Sequence, residues 1–448
     1  MQEKHFEKTV HWHGFTQMAH YEPLVIRRAE GVWLTTCDGR RLLDGVSSLW
    51  CNVHGHGNIE INQAIQEQLH RVAHVTTLGM SCDTTESLAE RLVQITPGDL
   101  SHVFFSSDGS SAVEAALKMA FQYWQQSDRG SNKKTKYLAL NLAYHGDTTG
   151  AVSLGGIEYF HQLFSPILFS PIRGPLPCTY RLPTGVGLEE AGAHYAAEIE
   201  KLLRSHHDEL AAVVMEPLVQ GAAGMITHPE GFLRRVRELC DRYDVLLICD
   251  EVATGFGRTG TMFACEQEDV TPDILCLGKG LTGGYVPMAA TIARPHLFDA
   301  FLAPIEASKQ FYHGHTFAGN PLAAAAALAS MQLFDKDQTL QSVVKHEVVL
   351  RERLKKLGSN RFVGSIRGRG LMVGIELVED RDSKKPFDPA SLIGRRVCEN
   401  ATEQGVWIRP LGDVVVLMPP LSINQEELER LAEVVIASIE DVTESLSL

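Results

Sequence analysis

No Cys-x-x-C pair occurs in the 448 residues, and the nine cysteines (Cys37, Cys51, Cys82, Cys178, Cys240, Cys249, Cys265, Cys276 and Cys398) follow no framework spacing. That excludes a disulfide scaffold and a zinc knuckle. Cys249, inside Val245-Leu-Leu-Ile-Cys-Asp250, reads instead as a small buried hydrophobe. Also missing is any apolar run approaching the roughly 20 residues that a membrane helix takes. The opening Met1-Gln-Glu-Lys-His-Phe-Glu-Lys8 carries no apolar core of signal-peptide length. Without leader or span, a reducing cytoplasm is the expected address. Positive charge is scarce: 41 Lys and Arg face 55 Asp and Glu, a formal net charge of -14. Nucleic acid and anionic membrane are therefore not expected as main partners. A small anionic cofactor stays open, because a few local cations or backbone N–H groups can hold one.

What is present is ordinary for a soluble globular chain: 44% hydrophobic and 21% charged residues, at a length that suggests two or three domains. No repeat or low-complexity tract stands out. Val32-Trp-Leu-Thr and Arg41-Leu-Leu-Asp44 flank Cys37-Asp38-Gly39-Arg40 as a hairpin. From about residue 60 strand and helix patterns alternate. Val103-Phe-Phe, Tyr137-Leu-Ala-Leu, Ala211-Ala-Val-Val-Met, Val245-Leu-Leu-Ile-Cys and Ile274-Leu-Cys-Leu read as buried strands, with helices such as Ser111–Trp124 and Gly231–Tyr243 between them. The pattern predicts an α/β fold with a mainly parallel sheet covered on both faces. Asn320-Pro321 starts a helix, and the tail, from a charged helix at Val344–Leu357 to a last helix from Asn424, reads as a smaller α/β unit. The chain is divided at 1–58, 59–335 and 336–448, the first and last segments forming one small domain around the large one.

In an open parallel sheet, chemistry collects at the carboxyl ends of the strands. Five candidate strands end there in polar or glycine-rich sequence. Gly109, Ser110 and Ser111 open a helix whose free N–H groups suit a phosphate; an ordinary capped helix, with Ser110 or Ser111 as cap, would look the same. Tyr144-His145-Gly146-Asp147 offers a ring to stack on a planar group, or only a polar loop. Asp250 and Glu216 put carboxylates on one rim, and a protonated pyridine, a metal or Arg258 would each be a fitting partner for Asp250. Lys279, between Gly278 and Gly280, is an accessible amine in apolar surroundings, the setting that makes a lysine nucleophilic.

Asp250-Glu-Val-Ala-Thr-Gly-Phe-Gly-Arg-Thr-Gly260 followed by Pro272-Asp-Ile-Leu-Cys-Leu-Gly-Lys-Gly-Leu-Thr-Gly-Gly284 resembles the signature of class-III aminotransferases, pyridoxal-phosphate (PLP) enzymes of fold type I. The likeness runs through essentially the whole chain. Within that class it most resembles the 7,8-diaminononanoate aminotransferases of biotin biosynthesis, through Trp12-His-Gly-Phe-Thr16, Ser47-Ser-Leu-Trp-Cys-Asn-Val-His-Gly55, Tyr144-His-Gly-Asp-Thr148, His313-Gly-His-Thr-Phe-Ala-Gly-Asn-Pro321 and Trp407-Ile-Arg-Pro-Leu-Gly412. The resemblance implies amino transfer from S-adenosylmethionine or lysine to 8-amino-7-oxononanoate. It implies that Lys279 holds the cofactor covalently and moves a proton, that Asp250 pairs with the ring nitrogen, and that Tyr144 covers a ring face. Gly109 and Ser110 would bind the phosphate, Glu216 would support the cofactor, and Thr316 would reach the phosphate of a partner subunit, making a homodimer. Arg409 would hold the acceptor carboxylate, with Trp50, Phe15, Gly314, Arg258 and Asp147 around the substrate. The chain departs from the best-known form of the family at Phe15, where tyrosine is usual, at Leu49, where a second tryptophan is, and at His315, where proline is. These departures look more like a lysine-using branch. Rival readings are a class-III transaminase for another ω-amino acid or diamine, an aminomutase, a non-catalytic PLP-binding protein, and a metal hydrolase built on His54, His56, His145, His313 and His315.

Overall fold

The computed structural model describes residues 9–129 and 131–446. The segment 1–8, on which the reading of the chain start rests, lies outside the described residues. Seven strands form the central sheet in the spatial order His102–Ser106, Ala289–Ala293, Ile274–Leu277, Leu246–Asp250, Leu210–Met215, Lys136–Leu140 and Ile172–Gly174. All are mutually parallel except Ala289–Ala293, which runs against both neighbours. The five strands read from the sequence are all present. They pair because each is a short run of β-branched and other apolar residues, buried from end to end in the three central cases. Ala289-Ala-Thr-Ile-Ala293 is the strand that pattern reading passes over, since alanine-rich sequence carries little β signal; its place is fixed by register with Ser106 and Leu277.

Helices cover both faces. Gly109–Gln126 begins on an Asp108 cap, whose carboxylate accepts from the Ser111 N–H at 2.9 Å and the Ser111 hydroxyl at 3.0 Å. Pro321–Lys336 starts as expected from Asn320, which accepts from the Leu322 N–H at 3.0 Å, and its Ala323–Ala327 run lets it lie closely against helices Ile59–Arg71 and Asp83–Ile95. The charged helix spans Thr339–Leu354, and the last helix, Gln425–Glu444, starts from a capping box of Asn424 and Glu427. No helix among the described residues is long and apolar enough to cross a membrane, and all nine cysteines are free thiols.

The two ends of the chain interlock. The hairpin Trp33–Thr36 and Arg41–Asp44 forms as read, and Val406–Trp407 adds to it in parallel, pairing with Leu43 and Asp44. An antiparallel sheet of Val363–Arg369, Met372–Leu377, Val414–Leu417 and Arg409–Leu411 follows. The Gly45 N–H donates to the Trp407 carbonyl and the Met418 N–H to the Gly45 carbonyl, so the loop beginning at Gly45 is held by C-terminal residues.

Candidate active site

The carboxyl ends of the parallel strands bring Ser106–Ser110, Tyr144–Asp147, Glu216, Asp250 and Lys279 to one rim. At its start, helix Gly109–Gln126 uses Asp108 rather than Ser110 or Ser111 as cap. The first-turn N–H groups of Gly109 and Ser110 consequently have no partner among the described residues. Beside them the Ser106 hydroxyl is buried and unpartnered, and the Ser110 hydroxyl accepts from the Asp147 N–H at 3.2 Å. Gly109 is required by close approach: a Cβ there would sit 2.6 Å from Cγ1 of Val252. Gly109→Ala is expected to cost about 1–3 kcal/mol through overpacking and to weaken binding of a phosphate-bearing cofactor. Denaturant unfolding of the apoprotein and titration with cofactor check the two effects separately.

Asp250 is 5% exposed. Its Oδ1 accepts from the Val252 N–H at 3.0 Å, and its Oδ2 lies 2.7 Å from Nδ1 of His145, itself buried. Nε2 of His145 has no partner among the described residues. The sequence places Tyr144 and Asp147 at the site and offers for His145 only a possible metal set; its place between them in the Tyr144-His-Gly-Asp147 loop is the signal for its role here. Glu216, 4% exposed, accepts from the N–H groups of Gly221 at 2.8 Å and Tyr144 at 3.3 Å. Burial pushes its carboxyl up to about 7 against the pull of His145. The Tyr144 hydroxyl donates to Asp147 at 2.7 Å, and burial and that carboxylate raise its pKa. The Tyr144 ring stacks on His161 at 6.3 Å and meets the edge of Phe160, which in turn meets Phe15 at 5.2 Å. Phe15 therefore stands one ring away from Tyr144.

Lys279 keeps some solvent access, yet burial lowers the pKa of its amine while Asp250 and Glu216 oppose the shift. Its backbone is in the left-handed region, φ 40°, strain of the kind that collects at functional sites. The ammonium lies 5.0 Å from the centre of the Trp50 ring. Arg258, expected at the substrate, is 1% exposed. Its guanidinium donates to the carbonyls of Pro419 and Asn52, each at 2.5 Å, and to the Ser47 hydroxyl at 2.9 Å. It makes no bond to Asp250. These three contacts tie Arg258 to the Ser47–Asn52 loop and to Pro419, while its Nε, also buried, has no partner among the described residues. Glu251 is likewise internal, accepting from the N–H groups of Ala264 at 2.6 Å and Cys265 at 2.8 Å.

Arg409 opens the strand Arg409–Leu411, is exposed and makes no ion pair among the described residues. It pairs with Val416, whose strand runs on to Met418 and Pro419, the carbonyls that hold Ser47 and Arg258. Gly314 and Thr316 are exposed on this chain. The five histidines singled out from the sequence go to separate neighbours: His54 to Ser330, His56 to Asp44, His145 to Asp250, and His313 to Lys118 with His315 against its ring.

The residues present fit PLP. Unengaged helix N–H groups and an orphan hydroxyl suit the phosphate, a buried carboxylate suits a pyridinium, and an amine of lowered pKa suits an aldehyde. A family model described as aminotransferase class-III matches residues 16–439. A curated adenosylmethionine-8-amino-7-oxononanoate aminotransferase from Nitratidesulfovibrio vulgaris is 52% identical over 436 residues, spanning 97% of this chain and 80% of that protein. The crystal structure of a protein of that name from Methanocaldococcus jannaschii superposes with a TM-score of 0.91 at 42% identity, covering 96% of this chain and 97% of the other. An amine transaminase from an uncultivated Pseudomonas species, in its PLP-bound form, gives a TM-score of 0.91 at 36% identity over 97% and 98% of the two chains. With the family match spanning nearly the whole sequence and the rim carrying the matching chemistry, this chain belongs to the class-III aminotransferases.

Proposed function

We propose that this chain uses PLP to transfer an amino group to 8-amino-7-oxononanoate, yielding 7,8-diaminononanoate for biotin synthesis, with S-adenosylmethionine or lysine as donor. The carrying observation is Arg409: an exposed guanidinium with no ion pair among the described residues, on a sheet tied through Met418 and Pro419 to the Trp50 loop beside Lys279. A carboxylate-ended acceptor with an apolar chain matches a bidentate guanidinium and an aromatic wall. The names of the relatives support the same acceptor.

When bound, PLP supplies the electron sink that stabilises negative charge at the amine-bearing carbon. Gly109, Ser110 and Ser106 would hold its phosphate, and Asp250, in contact with His145, would pair with its ring nitrogen. Tyr144 covers one face. Lys279 Nζ would hold the cofactor and would move the proton at the reacting carbon. Thr316 and Gly314 complete the site of a second copy. Their stretch is flanked by Tyr312 and Phe317, 65% and 64% exposed, with Leu78 and Met80 also exposed, apolar surface of the kind buried between subunits.

The absorbance of the holoenzyme tests the reaction. One donor, S-adenosylmethionine or lysine, is expected to bleach the cofactor band, and 8-amino-7-oxononanoate to restore it. Bleaching by neither, but by a simple ω-amino acid or diamine, transfers the chain to another transaminase activity. Arg409→Ala is expected to raise the KM for the acceptor about tenfold or more, as loss of a charge-assisted pair does, with the donor half-reaction little changed. Steady-state kinetics with each substrate varied in turn check it; a donor-side effect moves Arg409 to the donor.

A further inference from the structure

The loop that carries Trp50 is folded against its own backbone preferences. Ser47, Ser48 and Trp50 all have positive φ, at 53°, 61° and 66°, and Ser48 combines this with ψ -57°, a strained γ-turn geometry. None is glycine, so something outside the loop must hold it. That holder is Asp44, fully buried. Its carboxylate accepts from the Ser48 N–H at 2.8 Å, the Ser48 hydroxyl at 3.2 Å and the Val46 N–H at 3.3 Å, and its Oδ2 lies 3.1 Å from Nε2 of His56. The hydrogen positions follow from the neighbours. Asn52 Oδ1 accepts from the Gly55 N–H at 2.8 Å, which turns its NH2 towards Nδ1 of His56 at 3.3 Å. Nδ1 is thus the acceptor, and Nε2–H donates to Asp44.

From the other side, Arg258 grips the Ser47 hydroxyl and the Asn52 carbonyl. The loop also sits directly on the segment that bears Lys279. The Val53 N–H donates to the Gly283 carbonyl at 3.2 Å, and a Cβ on Gly284, φ 85°, would come within 2.8 Å of the Cys51–Asn52 backbone.

We propose that Asp44 and His56 are positioning residues for the transamination: through the strained Ser47–Trp50 turn they hold the Trp50 ring against Gly221, where a Cβ would come within 3.2 Å of it, and over the Lys279 amine, where it forms the wall for the acceptor's alkyl chain. This rests on the acceptor proposed above. Neither residue touches the reacting atoms; both act through Trp50.

A double-mutant cycle on the holoenzyme tests it, reading kcat and KM for 8-amino-7-oxononanoate in wild type, Trp50→Ala, His56→Ala and the double variant. His56→Ala is expected to lower kcat/KM about tenfold or more, mainly through KM, because a displaced wall misplaces the chain. In the Trp50→Ala background the same change is expected to add almost nothing. His56→Gln, which keeps an N–H donor near the Nε2 position, is expected to restore most of the loss. Losses that multiply in the double variant, or a His56→Ala enzyme with unchanged kcat/KM, overturn the proposal. Should His56→Ala not fold, Ser48→Ala, which removes one hydroxyl, takes its place in the cycle with the same two outcomes. A wild-type enzyme that does not aminate the acceptor refutes the proposed reaction, and the cycle is then read on the donor half-reaction, where coupling to Trp50 still decides the role of the network.

Discussion

Lys279→Ala is expected to give a folded protein whose turnover is at least about 10^4-fold below wild type. Two contributions combine. A positioned general base contributes roughly 10^2–10^4-fold, and the same amine is the covalent anchor that a nucleophilic lysine supplies. The site is arranged for that one group: burial lowers its pKa, Trp50 covers it at 5.0 Å, and Asp250 and Glu216 lie near enough to act on its charge. Alanine keeps the left-handed backbone at this position without relieving it, so little of the loss should come from refolding of the loop. Single-turnover kinetics with each donor measure the effect, and thermal unfolding shows whether the fold survives. A small primary amine added to the variant is expected to recover part of the proton transfer, since truncation leaves space where Nζ stood. Turnover near wild type would remove Lys279 from the chemistry and the aminotransferase mechanism with it.

The rim was legible because its parts are local. Each buried strand is a short apolar run ended by polar or glycine residues, so Asp250, Glu216, Tyr144 and Lys279 announce themselves one strand at a time, and the parallel topology brings them together. What escaped reading is what depends on residues distant in the chain. Asp108, not the serines after it, caps the Gly109–Gln126 helix, a choice made by one side-chain rotamer. His145 reaches Asp250 across 105 positions, and Arg258 is sealed by carbonyls from Asn52 and Pro419. A guanidinium is expected to face a ligand until its surroundings are known. The strand Ala289–Ala293 is held by its neighbours rather than by propensity. Asp44 and His56 looked like the end of a hairpin and one of several scattered histidines; only the folded loop joins them.

Asp250 carries the other large expected effect, and it separates charge from shape. Asp250→Asn preserves the outline of the side chain, replaces a buried anion with an amide, and puts an NH2 where an acceptor stood. Removing one partner from a buried charged pair costs roughly 3–5 kcal/mol, which at about 1.4 kcal/mol per decade predicts a fall of roughly 10^2 to 4 × 10^3-fold in kcat. The loss should appear in both half-reactions, because the ring nitrogen is needed whichever substrate is bound, in contrast to the acceptor-selective loss expected for Arg409→Ala. His145 gives the control. Its Nδ1 is 2.7 Å from Asp250 and its Nε2 has no partner among the described residues, so its contact at the site is with the carboxylate. His145→Gln, which keeps a hydrogen-bonding amide, is therefore expected to cost only about tenfold, the scale of one hydrogen bond to a charged group. The pH profile of kcat should shift in both variants, since each changes how strongly a proton is held at the ring. An Asp250→Asn enzyme within tenfold of wild type would mean that this carboxylate does not face the ring nitrogen; a His145→Gln loss as large as that of Asp250→Asn would mean that the two act as one unit.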